Sequence, residues 1–307
     1  MTGFVLGRVL RAVLTLLVVL SLTFVMLRMT GDPTRMLLPD TASDEMVASF
    51  RAHWGLDQPI LMQYLHYTGN LLKGDAGLSI ANGRPALLVA TERLPATLKL
   101  TTTALVLMLL IGVPAGILAA LKRGSIWDRS VMLLATLGFS LPGFVVSIGL
   151  VYLFAVWLRW LPSSGSASLR HMVLPVLTLG LAGAAGLARY IRVAVLDVME
   201  RPFILAARAS GKGRAAILWQ HVLPNAAISL VTILGFMVAG LFGGSIIIEQ
   251  VFGWPGIGRL LLETVGMRDF AVVQMLVILF TAIVTLCNLT VDIAYGILNP
   301  RIQATAC

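Results

Sequence analysis

Few side chains in this chain of 307 residues have the type and spacing for covalent chemistry. The four histidines, His53, His66, His171 and His221, stand far apart, and no H-E-x-x-H or C-x-x-C string gives them or the two cysteines the spacing of a metal site. Cys287 lies inside an apolar run and Cys307 is the last residue of the sequence, so neither a metal nor a redox pair is expected. Gly211-Lys212-Gly213 is too short for a phosphate-cradling loop, which needs G-x-x-x-x-G-K-[ST] after a buried strand. No acid, base and nucleophile come together, so no catalytic residue is expected. Two polar groupings remain among apolar runs. One is a basic stretch, residues 197–228, with Arg201, Arg208, Lys212 and Arg214; the other is a hairpin sequence between Glu249 and Arg259. Such groups bind and orient rather than break bonds.

The elements that must position them are membrane helices. Hydrophobic residues make up 58% of the chain and charged residues 12%, with a mean hydropathy of +0.92; a soluble domain carries about 25% charged residues. Six apolar stretches approach or exceed the ~20 residues that cross a ~30 Å hydrocarbon core: 9–27, 97–120, 131–157, 172–191, 229–248 and 271–296. Arg8 and Arg11 before the first run give it the look of a signal peptide, but its length and the lack of a small-x-small cleavage site predict a retained helix. The predicted organisation is an N-terminal helix over 1–28, an extracytoplasmic cap over 29–96 and a five-helix core over 97–307. Within the cap, Ser43-Asp44-Glu45 predicts a helix start, Gly55-Leu56-Asp57-Gln58-Pro59 a turn, and residues 61–72 a helix along the interface. Trp54, Tyr64 and Tyr67 suit either a headgroup-level belt or packing beneath the cap. Helix breaks are expected around Gly112-Val113-Pro114-Ala115-Gly116, Leu141-Pro142-Gly143 and between Gly235 and Gly244, where cavity lining competes with close helix packing as the cause.

Six spans put both termini on one side. With a cytoplasmic N-terminus, that side collects 12 of the 23 basic residues: Arg8, Arg11, Lys122, Arg123, Arg129, Arg189, Arg192, Arg201, Arg208, Lys212, Arg214 and Arg301. Asp128, Asp197, Glu200 and Asp292 oppose them, so nearly all of the formal charge of +9 lies on one face. Topology accounts for that asymmetry, and no nucleic-acid partner is implied.

Two short helices are predicted in the basic stretch. Pro202 suits a first helical turn leading into Ala206-Ala207-Arg208-Ala209, Gly211 and Gly213 end that helix, and a second runs from 214 to 223 before Pro224 stops it. The alanines would let this segment approach a partner closely, and Gly211 would supply a turn that a Cβ opposes. Arg208 and Arg214 would orient acidic partner groups, since exposed pairs contribute only ~0–1 kcal/mol.

In this stretch the chain resembles the inner-membrane permeases of binding-protein-dependent ABC importers, whose loop is written E-A-A, three residues, G, nine residues, I, one residue, L-P. Ala206, Ala207, Gly211, Leu223 and Pro224 match; Leu205 stands at the glutamate and His221 at the isoleucine. The wording Leu205-Ala206-Ala207-Arg208-Ala209-Ser210-Gly211 and Gln220-His221-Val222-Leu223-Pro224-Asn225-Ala226 is similar to the dipeptide, oligopeptide and nickel branch, with Ser210 in place of lysine. Gly31-Asp32-Pro33, Gly74-Asp75-Ala76-Gly77, Arg93-Leu94-Pro95-Ala96-Thr97, the string from Glu249 to Arg259 and Asn299-Pro300-Arg301 extend the resemblance over almost the whole chain.

The resemblance implies an all-α integral membrane protein of six transmembrane helices with a MetI-like permease fold and cytoplasmic coupling helices within 192–228. It implies a multi-pass subunit of the bacterial inner membrane, termini cytoplasmic, working with a second homologous permease, two ABC ATPase subunits and an extracytoplasmic binding protein in the lipid bilayer. ATP and Mg²⁺ would belong to the ATPases, and this chain would need no cofactor. Di- or oligopeptides are the expected substrates, with nickel, a metal chelate or glutathione as alternatives. Ala206, Ala207, Arg208, Gly211, His221, Leu223 and Pro224 are the expected ATPase-coupling residues. Glu249, Phe252, Trp254, Pro255 and Arg259 form a candidate extracytoplasmic gate or binding-protein contact. From another class, a proton-coupled carrier would use Asp292, although its place near the end of its span favours a structural hydrogen bond.

Overall fold

The computed structural model describes residues 2–29, 42–53 and 57–298. Gly31-Asp32-Pro33, Trp54, Gly55, Leu56, Asn299-Pro300-Arg301 and Cys307 lie outside the described residues. Among those described, the regular structure is helical apart from one isolated bridge between Leu78 and Pro85.

Helix α1 (Thr2–Met29) crosses first. Two cap helices follow, α2 (Asp44–His53) and α3 (Ile60–Leu72). Ser43 Oγ accepts from the Met46 backbone N–H at 3.3 Å, as the helix start there requires. Tyr64 and Tyr67 pack around Phe24 of α1, and the Tyr64 hydroxyl meets Ser21 Oγ at 2.7 Å, so these tyrosines fasten α3 to α1. Burial pushes the Tyr67 phenol well above its ordinary range.

Helix α4 (Ala86–Leu121) starts eleven residues ahead of the predicted second span and carries the chain from cap to core without interruption, through Pro95 and Pro114. The expected break around Pro114 is absent because of the neighbour it packs on, α7 (Leu169–Met199), which runs parallel beside it. A Cβ on Gly116 would fall 2.6 Å from the Ala188 carbonyl oxygen, and one on Gly112 would fall 3.0 Å from that of Ala184. Those glycines let two backbones touch, and the helix runs on through them.

The break at Pro142 is real. Helix α5 (Ile126–Ser140) meets α6 (Gly143–Leu150) at 102°, and α6 widens into a π-helical turn, Val151–Trp157. At its start, Asp128 accepts from Arg192 Nε at 2.6 Å and from its terminal nitrogen at 2.8 Å. Beyond its far end, Gly165 N–H donates to the Phe252 carbonyl at 2.8 Å. The bent pair therefore connects opposite ends of the bundle, which makes it one crossing and brings the number of candidate spans to six.

After α7 come the short helices α8 (Pro202–Ala209) and α9 (Arg214–Ile217), then α10 (Leu223–Val251), α11 (Ile257–Gly266) and α12 (Phe270–Leu298). Helix α10 is unbroken from Gly235 to Gly244, against the sequence expectation, and lies between α7 and α12. One apolar core runs the length of the bundle, from Ile204, Ala207 and Ile217 at the basic end to Phe252 and Trp254 at the hairpin end.

Candidate functional site

The basic stretch is anchored by its apolar side chains. Ile204 is fully buried, Ala207 is 8% exposed, and Ile217 and Val222 are also buried. Burying one such isoleucine contributes about 1.5–3 kcal/mol, enough to hold a helix of two turns against the body. The outer face of α8 carries Phe203, Leu205, Ala206, Arg208 and Ala209, all exposed. Ala207, expected to meet a partner, instead packs inward, because the turn that buries Ile204 also buries the residue three positions on. Leu205, the departure from the family wording, is on the open side at 60% exposure.

Gly211 closes α8 with φ +80°, in the left-handed region that disfavours a Cβ. Beyond it, Lys212 Nζ donates to His221 Nε2 at 2.9 Å, clamping the turn across the second helix. That second helix is shorter than predicted. After Ile217 the chain widens into a π-turn over Leu218–Val222 and passes straight into α10, with Pro224 in its first turn. Pro224 does not end the helix. Proline has no N–H to give the carbonyl four residues back and its ring presses on that carbonyl, and the wider turn before it accommodates both. Arg208, Lys212 and Arg214, with Leu121, Met199 and Ile217, surround a cavity of about 400 Å³ that joins cationic walls to an apolar floor.

The turn between α4 and α5 supports this unit. Arg123 pairs with Glu200 at 2.7 Å, Arg192 grips Asp128, and Arg201 meets Asp197 one helical turn away at 2.8 Å. Asp128 also accepts from Gly124 N–H at 2.9 Å, so both oxygens of this buried carboxylate are held.

At the opposite end, Glu249 has 0% exposure. Its carboxylate accepts from Thr97 Oγ1 at 2.6 Å and from the Gly258 and Arg259 backbone N–H groups at 2.7 and 3.0 Å. Those N–H groups open α11, so a side chain from α10 caps it. Thr97 accepts in turn from Ile257 N–H at 2.9 Å, and Trp254 Nε1 donates to the Ala96 carbonyl at 2.9 Å. Gly256 fits because a Cβ there would sit 2.4 Å from the Glu249 carboxyl. Glu249, Phe252 and Trp254 are thus internal cement and offer no surface to a binding protein. Pro255 and Arg259 are the only members of the expected set that are partly exposed, and Arg259 is itself engaged with Glu263 at 2.7 Å and the Gly253 carbonyl at 2.9 Å. Thr97, at the end of the Arg93-Leu94-Pro95-Ala96-Thr97 string, is the third party in this lock, and only the facing of α4 and α10 brings it to Glu249. Asp292 pairs with Arg8 of α1, a partner 284 positions away in the sequence.

A bundle of six crossings with a two-helix projection at its basic end and a buried lock at the other is the build of a transporter's membrane component. The family comparisons name the class more closely. The model for the binding-protein-dependent transport system inner membrane component matches residues 112–304, and the model for the N-terminal part of such components matches residues 1–101. The glutathione transport system permease proteins GsiC of Shigella flexneri serotype 5b (strain 8401) and Escherichia coli (strain K12) are each 40% identical over 304 residues, covering 99% of this chain and 99% of theirs. An inward-facing structure of the MetNI methionine ABC transporter shares the fold, with a TM-score of 0.60 at 21% identity over 69% of this chain and 97% of that one. The chain belongs to the family of inner-membrane permeases of binding-protein-dependent ABC importers. It is a multi-pass inner-membrane subunit of an importer that also comprises an ATPase and a substrate-binding protein.

Proposed function

We propose that this chain is the permease subunit of an ATP-driven importer of short peptides, with glutathione the first substrate to test. The observation that carries the coupling is the build of the basic stretch. Ile204 and Ala207 lock α8 into the core while Phe203, Leu205, Ala206 and Arg208 stay open. An ATPase surface that combines an apolar ridge with an acidic side chain would seat on α8 and fill the cation-lined cavity behind it. A push delivered there acts on the continuous core that ends at Phe252 and Trp254, so closure of two ATPase subunits can tilt the bundle between inward and outward access. Catalysis, ATP and Mg²⁺ stay with those subunits; a second, homologous permease completes the pathway, and both termini face the cytoplasm. Glutathione enters through the 40% identity with the GsiC permeases, and di- and oligopeptides and nickel chelates are its competitors.

The test is transport in proteoliposomes holding both permeases, both ATPases and the binding protein. ATP-dependent uptake of labelled glutathione, competed weakly by dipeptides and not by nickel, is expected. Phe203→Asp, on the exposed face of α8, should abolish ATPase co-purification and uptake with membrane insertion unchanged. Uptake that survives without the ATPases and collapses with a proton ionophore would sink the proposal.

A further inference from the structure

Between α1, α10 and α12 lies a groove of about 520 Å³ whose lining changes along its length. Its mouth, at the basic end, carries Arg8, Arg11, Asn288 and Asp292, while Ile246, Val277 and Phe280 line the interior. We propose that this groove binds one anionic phospholipid of the surrounding bilayer, its phosphate at Arg11 and one acyl chain laid along α12 towards Val277.

Charge selects the headgroup. Arg8 and Asp292 neutralise one another, so the exposed Arg11 leaves the mouth with one net positive charge. Arg11 uses Nε on the Gly7 carbonyl at 3.2 Å, which leaves its terminal nitrogens as donors for a phosphate. Asn288, exposed one turn before Asp292, makes no hydrogen bond among the described residues. An amide facing hydrocarbon is costly, and a lipid phosphate or ester oxygen at this depth satisfies it. Basic pockets between membrane helices at the positive end are the places where anionic headgroups bind.

Shape selects the chain. Thr15 and Thr281 also line the groove, but their hydroxyls are bonded to the carbonyls of Arg11 at 2.9 Å and Val277 at 2.7 Å, so they offer methyl groups. From Asp292 to Val277 the groove runs about 22 Å at 1.5 Å per residue, within the ~30 Å hydrocarbon thickness. An extended acyl chain can lie along that length against Val277, Phe280 and the threonine methyl groups.

The assembled transporter, reconstituted in mixed phosphatidylethanolamine and phosphatidylglycerol and re-extracted gently, is examined by native mass spectrometry. Phosphatidylglycerol should be retained preferentially, one per copy of this chain. Arg11→Gln should lower retention about fivefold, the equivalent of ~1 kcal/mol for one cation, and Asn288→Leu should lower it further. A photo-crosslinker at Thr285 should capture phospholipid. Equal retention of the two lipids, unchanged retention in Arg11→Gln, or capture of the second permease at Thr285 would each overturn the proposal. Transport is a separate readout, so failure here leaves the coupling proposal standing.

Discussion

The tightest arrangement in the molecule is a single carboxylate. Glu249 joins three elements, one of them 152 residues away in sequence, through Thr97 of α4, its own α10 and the first turn of α11. Removing it leaves three buried donors without an acceptor. Each such group costs about 1–3 kcal/mol, so Glu249→Ala should lower the thermal midpoint of the purified complex by the equivalent of about 3 kcal/mol or more. Glu249→Gln keeps an acceptor for the α11 amides and should retain most of that stability. Gly256→Ala should mimic the alanine variant, since its Cβ takes the carboxyl's place. A scanning-fluorimetry midpoint unchanged in Glu249→Ala would show that the lock holds nothing. The importance of Glu249 was legible in the sequence as an acidic group beside a Gly- and Pro-rich hairpin, but its direction was not. A string suited to facing a partner looks the same as one suited to capping a helix inside the fold, and only the approach of α4 decides. Ala207 makes the same point, because a four-residue run of small helix formers has no periodicity to say which member is buried.

Among the elements, proline and glycine had different fates by context. Leu141-Pro142-Gly143 produces the 102° bend, while Pro114 sits inside an uninterrupted helix held against α7. Sequence shows the missing N–H in both; it does not show the parallel neighbour against which α4 continues unbroken. Gly116→Ala should therefore be among the most damaging conservative changes in the spans, by about 1–3 kcal/mol of overpacking, because the opposing atom is backbone. The same change at Gly240, where a Cβ meets nothing within 4 Å, should be neutral in the same melting assay. The two-pronged grip of Arg192 on Asp128 gives a further expectation. Arg192→Lys keeps the charge but loses the fork, and should loosen the α4–α5 turn, seen as faster hydrogen exchange over residues 122–128.

For the whole molecule, the number of crossings and the polarity of charge were legible because both are compositional. The basic residues of the α4–α5 turn lie beside those of the basic stretch, as the Arg123–Glu200 and Arg192–Asp128 pairs show, and cysteines placed at 124 and 211 should react with an impermeant reagent from the side opposite to cysteines at 83 and 163. Labelling of all four from one side would overturn six crossings. Pairings between remote spans were not legible, since nothing in an apolar run names its neighbour. The ion pair between Arg8 and Asp292 is the extreme case, and it bears on how the protein is made. A ribosome adding about 5–20 residues per second needs roughly 15–60 s between those two residues. The first helix to enter the membrane, already fastened on one side by Tyr64 and Tyr67, therefore waits longest for its ion pair, and a chain interrupted before its final span would release α1 with Arg8 still lacking the Asp292 carboxylate.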